Sequence, residues 1–146
     1  MIARSKTLFA CLEKNRVKYI VIGGVAAILH GVPRMTGDID IFIEANPENA
    51  GRMLNTLRDL GYETSELVTP EGLAAVKLLM FENSIKIDVM LRIPGVEFAE
   101  AWTNRKTQYV GDQKFYIISK ADLIASKLAA GRKRDLEVVA ALTQSE

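Results

Sequence analysis

Residues 18–44 read KYIVIGGVAAILHGVPRMTGDIDIFIE, and their pattern indicates a small α/β unit. Residues 18–22 form a β-rich apolar run, which predicts a buried strand. The run ends at Gly23 and Gly24, and the apolar segment that follows closes at Gly31, as is typical of a short helix. Residues 38–44 then alternate polar and apolar side chains with the period of a strand. The stretch therefore predicts a strand, a glycine turn, a short helix and a second strand.

The flanking sequence extends this unit. Helical spacing predicts a helix over residues 5–15, and Asn46 is a plausible N-cap for a helix that stops at Gly61. The other expected elements are a hairpin of residues 76–81 and 85–91, a short helix over 96–104, a hairpin of 108–110 and 114–118, and two C-terminal helices that follow Ser119 and break at Gly131. We therefore expect an α+β fold around one mixed sheet.

Composition limits the function classes. A chain of 146 residues is one domain's worth of sequence, so residues 1–146 are expected to form a single domain. A net charge of +1 gives no strong overall field for nucleic acid or anionic membrane, so any polyanion site has to be local. Cys11, the single cysteine, suits a reducing compartment, and no run of about 18 apolar residues occurs. We expect a cytoplasmic protein without a membrane span.

Three aspartates are the first candidates for chemistry. Asp38 and Asp40 point to one face of their predicted strand because successive strand side chains alternate. Asp88 lies inside the apolar run IKIDVML, where an unpaired charge is unfavourable. If the two strands are neighbours, three carboxylates can hold two divalent cations for in-line attack on phosphorus. The alternatives are a solvated acidic face for the first pair, and an edge position or a pairing with Lys86 for Asp88.

Gly23 and Gly24 are candidates for phosphate binding. Backbone N–H groups can approach an anion closely where no Cβ intervenes, and these glycines stand between a strand and a helix. An ordinary turn is the alternative. Phe98 and Trp102 have i, i+4 spacing and are expected to pack in the core rather than stack on a base. His30 is expected to end its helix, with base or metal contact as the alternative.

These residues together carry a family resemblance. The glycine pair, the D-I-D strand and the later I-K-I-D-V resemble the nucleotidyltransferases of the DNA polymerase β superfamily. More narrowly, residues 21–44 and the segment DLIASKLAAGRKRDLEVVAAL resemble small prokaryotic nucleotidyltransferases related to abortive-infection and toxin–antitoxin proteins. The resemblance implies a polymerase-β-like fold with flanking helices and a C-terminal helical segment.

The resemblance also implies roles for individual residues. Gly23 and Gly24 would hold the phosphates of an NTP such as ATP, while Asp38 and Asp40 would bind Mg²⁺ or Mn²⁺. Asp88 would bind metal and help to deprotonate the acceptor hydroxyl. Many family members carry a serine or threonine directly beside the first acid, whereas here Gly37 separates Thr36 from Asp38; Thr36 is kept as a nucleotide contact.

Cations are needed because a triphosphate carries more charge than two metal ions neutralise. The candidates are Arg34, Lys127 and Arg132, with a solvated helix face or a surface ion pair as the alternative. The expected reaction moves an NMP from NTP to an acceptor such as RNA, including tRNA, a protein or a small molecule. A partner protein could supply acceptor recognition. The competing hypothesis is a non-catalytic binding or antitoxin-like module on the same fold.

Overall fold

The computed structural model describes residues 5–62, 78–81 and 86–144. In chain order their elements are α1 (Lys6–Lys14), β1 (Tyr19–Ile22), α2 (Gly23–Leu29), β2 (Asp38–Ile43), α3 (Pro47–Asp59), β3 (Leu78–Phe81), β4 (Lys86–Met90), α4 (Phe98–Asn104), β5 (Lys106–Val110), β6 (Gln113–Ile117), α5 (Lys120–Ala130) and α6 (Lys133–Gln144). The predicted α+β class is confirmed. The expected turn of the first hairpin, residues 82–84, lies outside the described residues.

The described strands form one mixed sheet in the order β3-β4-β2-β1-β6-β5. β1 runs antiparallel to β2 and parallel to β6, while β2 and β4 are parallel. The two hairpins, β3 with β4 and β5 with β6, are antiparallel as the sequence predicts. β4 lies between β2 and β3, so Asp88 is not on an edge strand and that alternative is wrong.

Helices cover both faces of the sheet. Ile39, Ile41 and Ile43 point to one face, where they join a core built with α1 and α3. Phe42 points to the other face and joins a core built with α2, α4, α5 and α6. Asp40, two residues before Phe42, shares this second face. Asp38 and Asp40 are both half-buried on this face.

Local capping agrees with several sequence predictions. The Asn46 side chain accepts a hydrogen bond from the Asn49 backbone N–H at 2.8 Å, which caps α3. The Ser119 hydroxyl accepts one from the Asp122 N–H at 3.1 Å, and α5 ends at Gly131 in the left-handed conformation. In the described residues no helix is both long and apolar enough to cross a bilayer.

Asn49 joins α3 to the sheet by a contact that the sequence pattern did not indicate. Its fully buried side chain accepts a hydrogen bond from the Lys18 N–H at 2.8 Å and donates to the Lys18 and Glu44 carbonyls at 3.0 Å. Lys18 precedes β1 and Glu44 follows β2, so one amide fixes the ends of both strands. Buried backbone groups need such partners.

We expect Asn49→Ala to lower the free energy of unfolding by about 3 kcal/mol, because three hydrogen bonds are lost from buried groups. Chemical denaturation measures this change. The matched control is Asn55→Ala, an exposed position of the same helix, for which we expect a change within about 0.5 kcal/mol. Equal effects of the two substitutions would contradict the assigned role of Asn49.

Candidate functional site

The acidic site is set by strand register. Parallel pairing of β2 with β4 places Asp40 directly opposite Asp88, and Asp38 opposite Lys86. The condition for three converging acids, that the two acidic strands are neighbours, is therefore met. The Lys86 ammonium lies 3.9 Å from Asp38 Oδ2, so Lys86 pairs with Asp38 and not with Asp88 as the alternative held. Asp40 and Asp88 are left side by side.

This juxtaposition changes the protonation of Asp40. Burial first, and then the neighbouring carboxyls of Asp88 and Asp38, raise the pKa of Asp40 to about 7, while the positive charge of Lys127 acts in the opposite direction. Both the loss of hydration and the nearby negative charges disfavour the ionised form. The site consequently favours either a proton or a cation between the carboxyls.

The hydrogen-bonding capacity of the Asp88 carboxylate is not fully used. Its Oδ1 atom is buried and has no hydrogen-bond partner in the described part of the chain. A buried carboxylate oxygen without a partner is unfavourable, and Mg²⁺ prefers this type of ligand. Across the described residues, however, no three His, Cys, Asp or Glu side chains form a preassembled metal cluster. Mg²⁺ sites commonly use one or two carboxylates together with substrate phosphates, so Asp40 and Asp88 fit a metal that arrives with its nucleotide.

The glycine turn lies against these acids. Gly23 has φ +66°, in the left-handed region that disfavours other residues, and a Cβ at this position would collide with the Asp40 carboxylate. A Cβ on Gly24 would lie 3.0 Å from the Thr36 Cβ. Gly23 is therefore required for the turn to pass this close to Asp40, whereas a side chain at position 24 would need Thr36 to shift by a few tenths of an ångström. Phosphate binding by the turn remains a prediction.

A cleft of about 440 Å³ opens over the acids and the turn. Every site residue predicted from the sequence contributes to its lining: Gly23, Gly24, Arg34, Thr36, Asp38, Asp40, Asp88, Lys127 and Arg132. Thr36 also bonds locally, since its hydroxyl lies 3.4 Å from both the N–H and the carbonyl oxygen of Asp38. The Thr36 hydroxyl therefore stabilises the loop that leads into β2.

Asp135 organises the basic side of the cleft. It is 1% exposed and accepts hydrogen bonds from the Arg132 guanidinium at 2.6 and 3.2 Å and from the Arg132 backbone N–H at 3.2 Å. The Lys127 ammonium lies 3.5 Å from the same carboxylate. The hydrogen bonds from Arg132, together with the charge of Lys127, lower the pKa of Asp135. One ionised carboxylate thus fixes the two predicted cations, which come from α5 and from the start of α6.

Two arginines of the cleft, Arg92 and Arg134, were missed by the sequence analysis. The position of Arg92 could have been predicted from the sequence, because residues 88, 90 and 92 alternate along the strand and therefore share a face with Asp88. The position of Arg134 could not, since it depends on how α6 is rotated against the sheet. Neither arginine forms an ion pair within the described ranges, so both charges are available to a ligand.

Two other sequence candidates lie outside the cleft. His30 Nε2 lies 2.8 Å from the Ile118 carbonyl oxygen, so the ring connects the end of α2 to the segment after β6. Trp102 and Phe98 pack against the second core, where Phe98 meets Phe42 edge to face at 5.1 Å between ring centroids. Both rings are only partly buried, so the expected core packing holds for the sides that face this core, while Trp102 also lines a second pocket.

Comparison with known proteins agrees with this geometry. No curated protein matches the chain significantly. A crystal structure from Thermotoga maritima, of a protein described as a candidate nucleotidyltransferase (TM1012), superposes with a TM-score of 0.58. The two sequences are 19% identical, and the match covers 95% of this chain and 89% of the other, so it shows a common fold. A family model described as nucleotidyltransferase of unknown function (DUF6036) matches residues 6–144. This match spans nearly the whole chain, which therefore belongs to that nucleotidyltransferase family.

Proposed function

We propose that this protein transfers a nucleoside monophosphate from an NTP, such as ATP, to an acceptor hydroxyl or phosphate with the help of Mg²⁺ or Mn²⁺. The observation that carries the proposal is the β2–β4 register, which holds Asp40 against Asp88 beneath the glycine turn. Asp38, Asp40 and Asp88 are the proposed ligands. The bound cations would neutralise the carboxylates and the triphosphate and stabilise charge in the transition state.

Residues of the chain also bind the phosphates, accept a proton and balance charge in the proposed reaction. The backbone N–H groups of Gly23 and Gly24 face the phosphates, and Asp88 takes the proton of the acceptor hydroxyl. The acceptor oxygen forms a bond to the α-phosphorus as the bond to the β-phosphate oxygen breaks, and pyrophosphate leaves. Arg34, Lys127 and Arg132 balance the charge on this leaving group, as preorganised cations do in other phosphoryl transfers.

The acceptor is proposed only as a class. RNA, including tRNA, a protein side chain and a small molecule all offer the required hydroxyl, and a partner protein could present any of them. Incubation with α-³²P-labelled NTP in the presence of bulk RNA or bulk protein distinguishes these acceptors by where the label appears. A toxin–antitoxin role would follow if transfer to RNA arrested translation.

The first prediction concerns metal dependence. We expect ATP to bind at least about tenfold more tightly with Mg²⁺ than with EDTA, because the carboxylates otherwise repel the triphosphate. Titration calorimetry measures both affinities. Equal affinities would contradict the three-carboxylate site, and absence of binding in both conditions would favour the non-catalytic module.

The second prediction concerns Asp40→Asn. We expect this variant to lose transfer by at least about a thousandfold, since a ligand of the transition-state charge is removed. We also expect it to be more stable than the wild type at pH 7 in EDTA. The folded state holds the Asp40 proton up to a pKa of about 7, whereas the unfolded carboxyl releases it near its ordinary pKa of 3.8. Wild-type stability therefore falls as pH rises between these values, and the amide removes this loss.

Thermal denaturation from pH 4 to 8 measures the second effect. Asp112→Asn is the matched control, because Asp112 is exposed and ion-paired with Lys6, which lowers its pKa. This control should keep full transfer and should not gain stability at pH 7. Full transfer by Asp40→Asn would show that the assigned ligand is wrong.

The third prediction concerns Lys127→Ala. We expect NTP affinity to fall about tenfold and transfer to slow, because a cation that faces the leaving phosphates is lost. Stability should change little, since Arg132 still holds Asp135 through two guanidinium bonds. Calorimetry and the transfer assay measure these effects. Lys120→Ala, in the same helix but outside the cleft, is the control, and an equal response of both variants would contradict the role of Lys127.

A further inference from the structure

A second pocket, of about 210 Å³, lies at the opposite end of β1 from the glycine turn. We call it the tryptophan pocket and define it by Val17, Trp102 and Tyr116 on its walls and Arg16, Lys18 and Lys114 at its rim. It shares no lining residue with the cleft. Gly23 is four residue steps after Tyr19 in extended chain, so the two sites are about 13 Å apart along the strand.

The aromatic wall is held in a fixed geometry. Trp102 and Tyr116 meet edge to face with 5.4 Å between ring centroids. The Arg105 guanidinium carbon lies 3.7 Å from the Trp102 centroid and 4.6 Å from the Tyr116 centroid, so one cation supports both rings. Phe98 stacks on Trp102 at 5.8 Å. Rings that are positioned before binding lose little entropy when a planar ligand packs against them.

The rim is basic although the whole chain is almost neutral. The lining contains Arg16, Lys18 and Lys114 against a single acid, Glu13. Glu13 already accepts a hydrogen bond from Gln113 at 2.8 Å. The ammonium groups of Lys18 and Lys114 lie 5.8 Å from the Trp102 centroid and 5.9 Å from the Tyr116 centroid, respectively. Lys18 also lies 4.0 Å from the Glu44 carboxylate, so Arg16 and Lys114 are the rim cations that no ion pair within the described residues compensates. Positive charge still exceeds negative charge beside the aromatic surface.

We propose that the tryptophan pocket binds an unpaired base of a single-stranded nucleic acid, with the adjoining phosphates on Arg16, Lys18 and Lys114. Stacking surfaces combined with cations along the backbone are the general means of holding single strands. The pocket is smaller than the 300–1,000 Å³ typical of drug-sized ligands, so it accommodates one ring system while the rest of the ligand stays outside. A single-stranded nucleic acid fits a pocket for one ring system with a basic rim, because each nucleotide has one base and one negatively charged phosphate.

The site is independent of the transfer chemistry. Its residues lie on the segment before β1, on α4 and on β6, whereas the acids lie on β2 and β4. Trp102 nevertheless packs on the face of the sheet that carries Asp40. A strand held in the tryptophan pocket can extend toward the cleft on that face. If the protein did not bind nucleic acid, the predictions for NTP and metal binding would still stand. If those predictions failed, the proposal for the tryptophan pocket would still stand.

Trp102 is the single tryptophan of the chain, so its fluorescence reports on the pocket directly. We expect a single-stranded octaribonucleotide, added in EDTA, to quench this emission and to bind more tightly than a duplex of the same length. With three phosphate contacts, log K should fall against log salt concentration with a slope of about −2. Absence of quenching, or a slope near zero, would overturn the proposal.

Two variants and a control make the test specific to the pocket. The double variant Lys18→Ala, Lys114→Ala should bind a fluorescein-labelled octaribonucleotide at least about tenfold more weakly at 0.1 M salt, with a shallower salt slope. Tyr116→Leu should weaken binding but keep the slope, because it removes a stacking surface and no charge. Lys14→Ala, which removes an exposed lysine outside the pocket, should bind within about twofold of wild type.

Circular dichroism and the melting temperature show whether each variant is folded, and only folded variants are compared. An equal loss of binding in Lys14→Ala would indicate non-specific attraction and would overturn the site. Equally strong quenching by an acidic peptide containing phenylalanine would assign the pocket to a protein ligand and would also overturn it. Retained binding by both the double lysine variant and Tyr116→Leu would have the same consequence.

Discussion

The parallel pairing of β2 with β4 places Asp40 directly opposite Asp88, and the glycine turn and the C-terminal helices meet at this unfavourable contact. Two neighbouring acids destabilise the ligand-free protein unless a proton or a cation lies between them. Burial first, and then the neighbouring carboxyls, raise the pKa of Asp40 to about 7. Gly23 is required there because any side chain would collide with Asp40. Strain of this kind, supported by the surrounding cores, is typical of functional sites.

The C-terminal helices complete the site from outside the sheet. Asp135 is buried in the first turn of α6, and its charge is compensated by Arg132 and by Lys127 from α5. A buried carboxylate without these partners would be strongly unfavourable, so the ion pairs orient the two helices as well as the cations. The same contacts hold Lys127 close enough to influence the charge of Asp40. The ion pairs that orient the two helices therefore also set the charge around the candidate site.

The parts of this arrangement that follow a local rule could be predicted from the sequence. Strand alternation placed Asp38 and Asp40 on one face, and cap residues such as Asn46 and Ser119 marked helix starts. The bonds from Asn49 to two strand ends could not be predicted, because they depend on how α3 lies across the sheet. The position of Arg105 could not be predicted either, because no sequence pattern indicates a guanidinium group that lies over two aromatic rings.

Charge is separated within the cleft. Asp38, Asp40 and Asp88 lie on the sheet, whereas three of the cations, Lys127, Arg132 and Arg134, lie on or beside the C-terminal helices. Arg34 and Arg92 lie in the segments before β2 and after β4. A divalent cation alone would meet the acids but also the field of these cations, and a triphosphate alone would meet the cations but also the acids. For the proposed transfer reaction, a metal–nucleotide complex would satisfy both sides at once, since Asp38, Asp40 and Asp88 would hold its cation and the basic residues its phosphates. The acids would then not need to form a complete metal site before the nucleotide arrives.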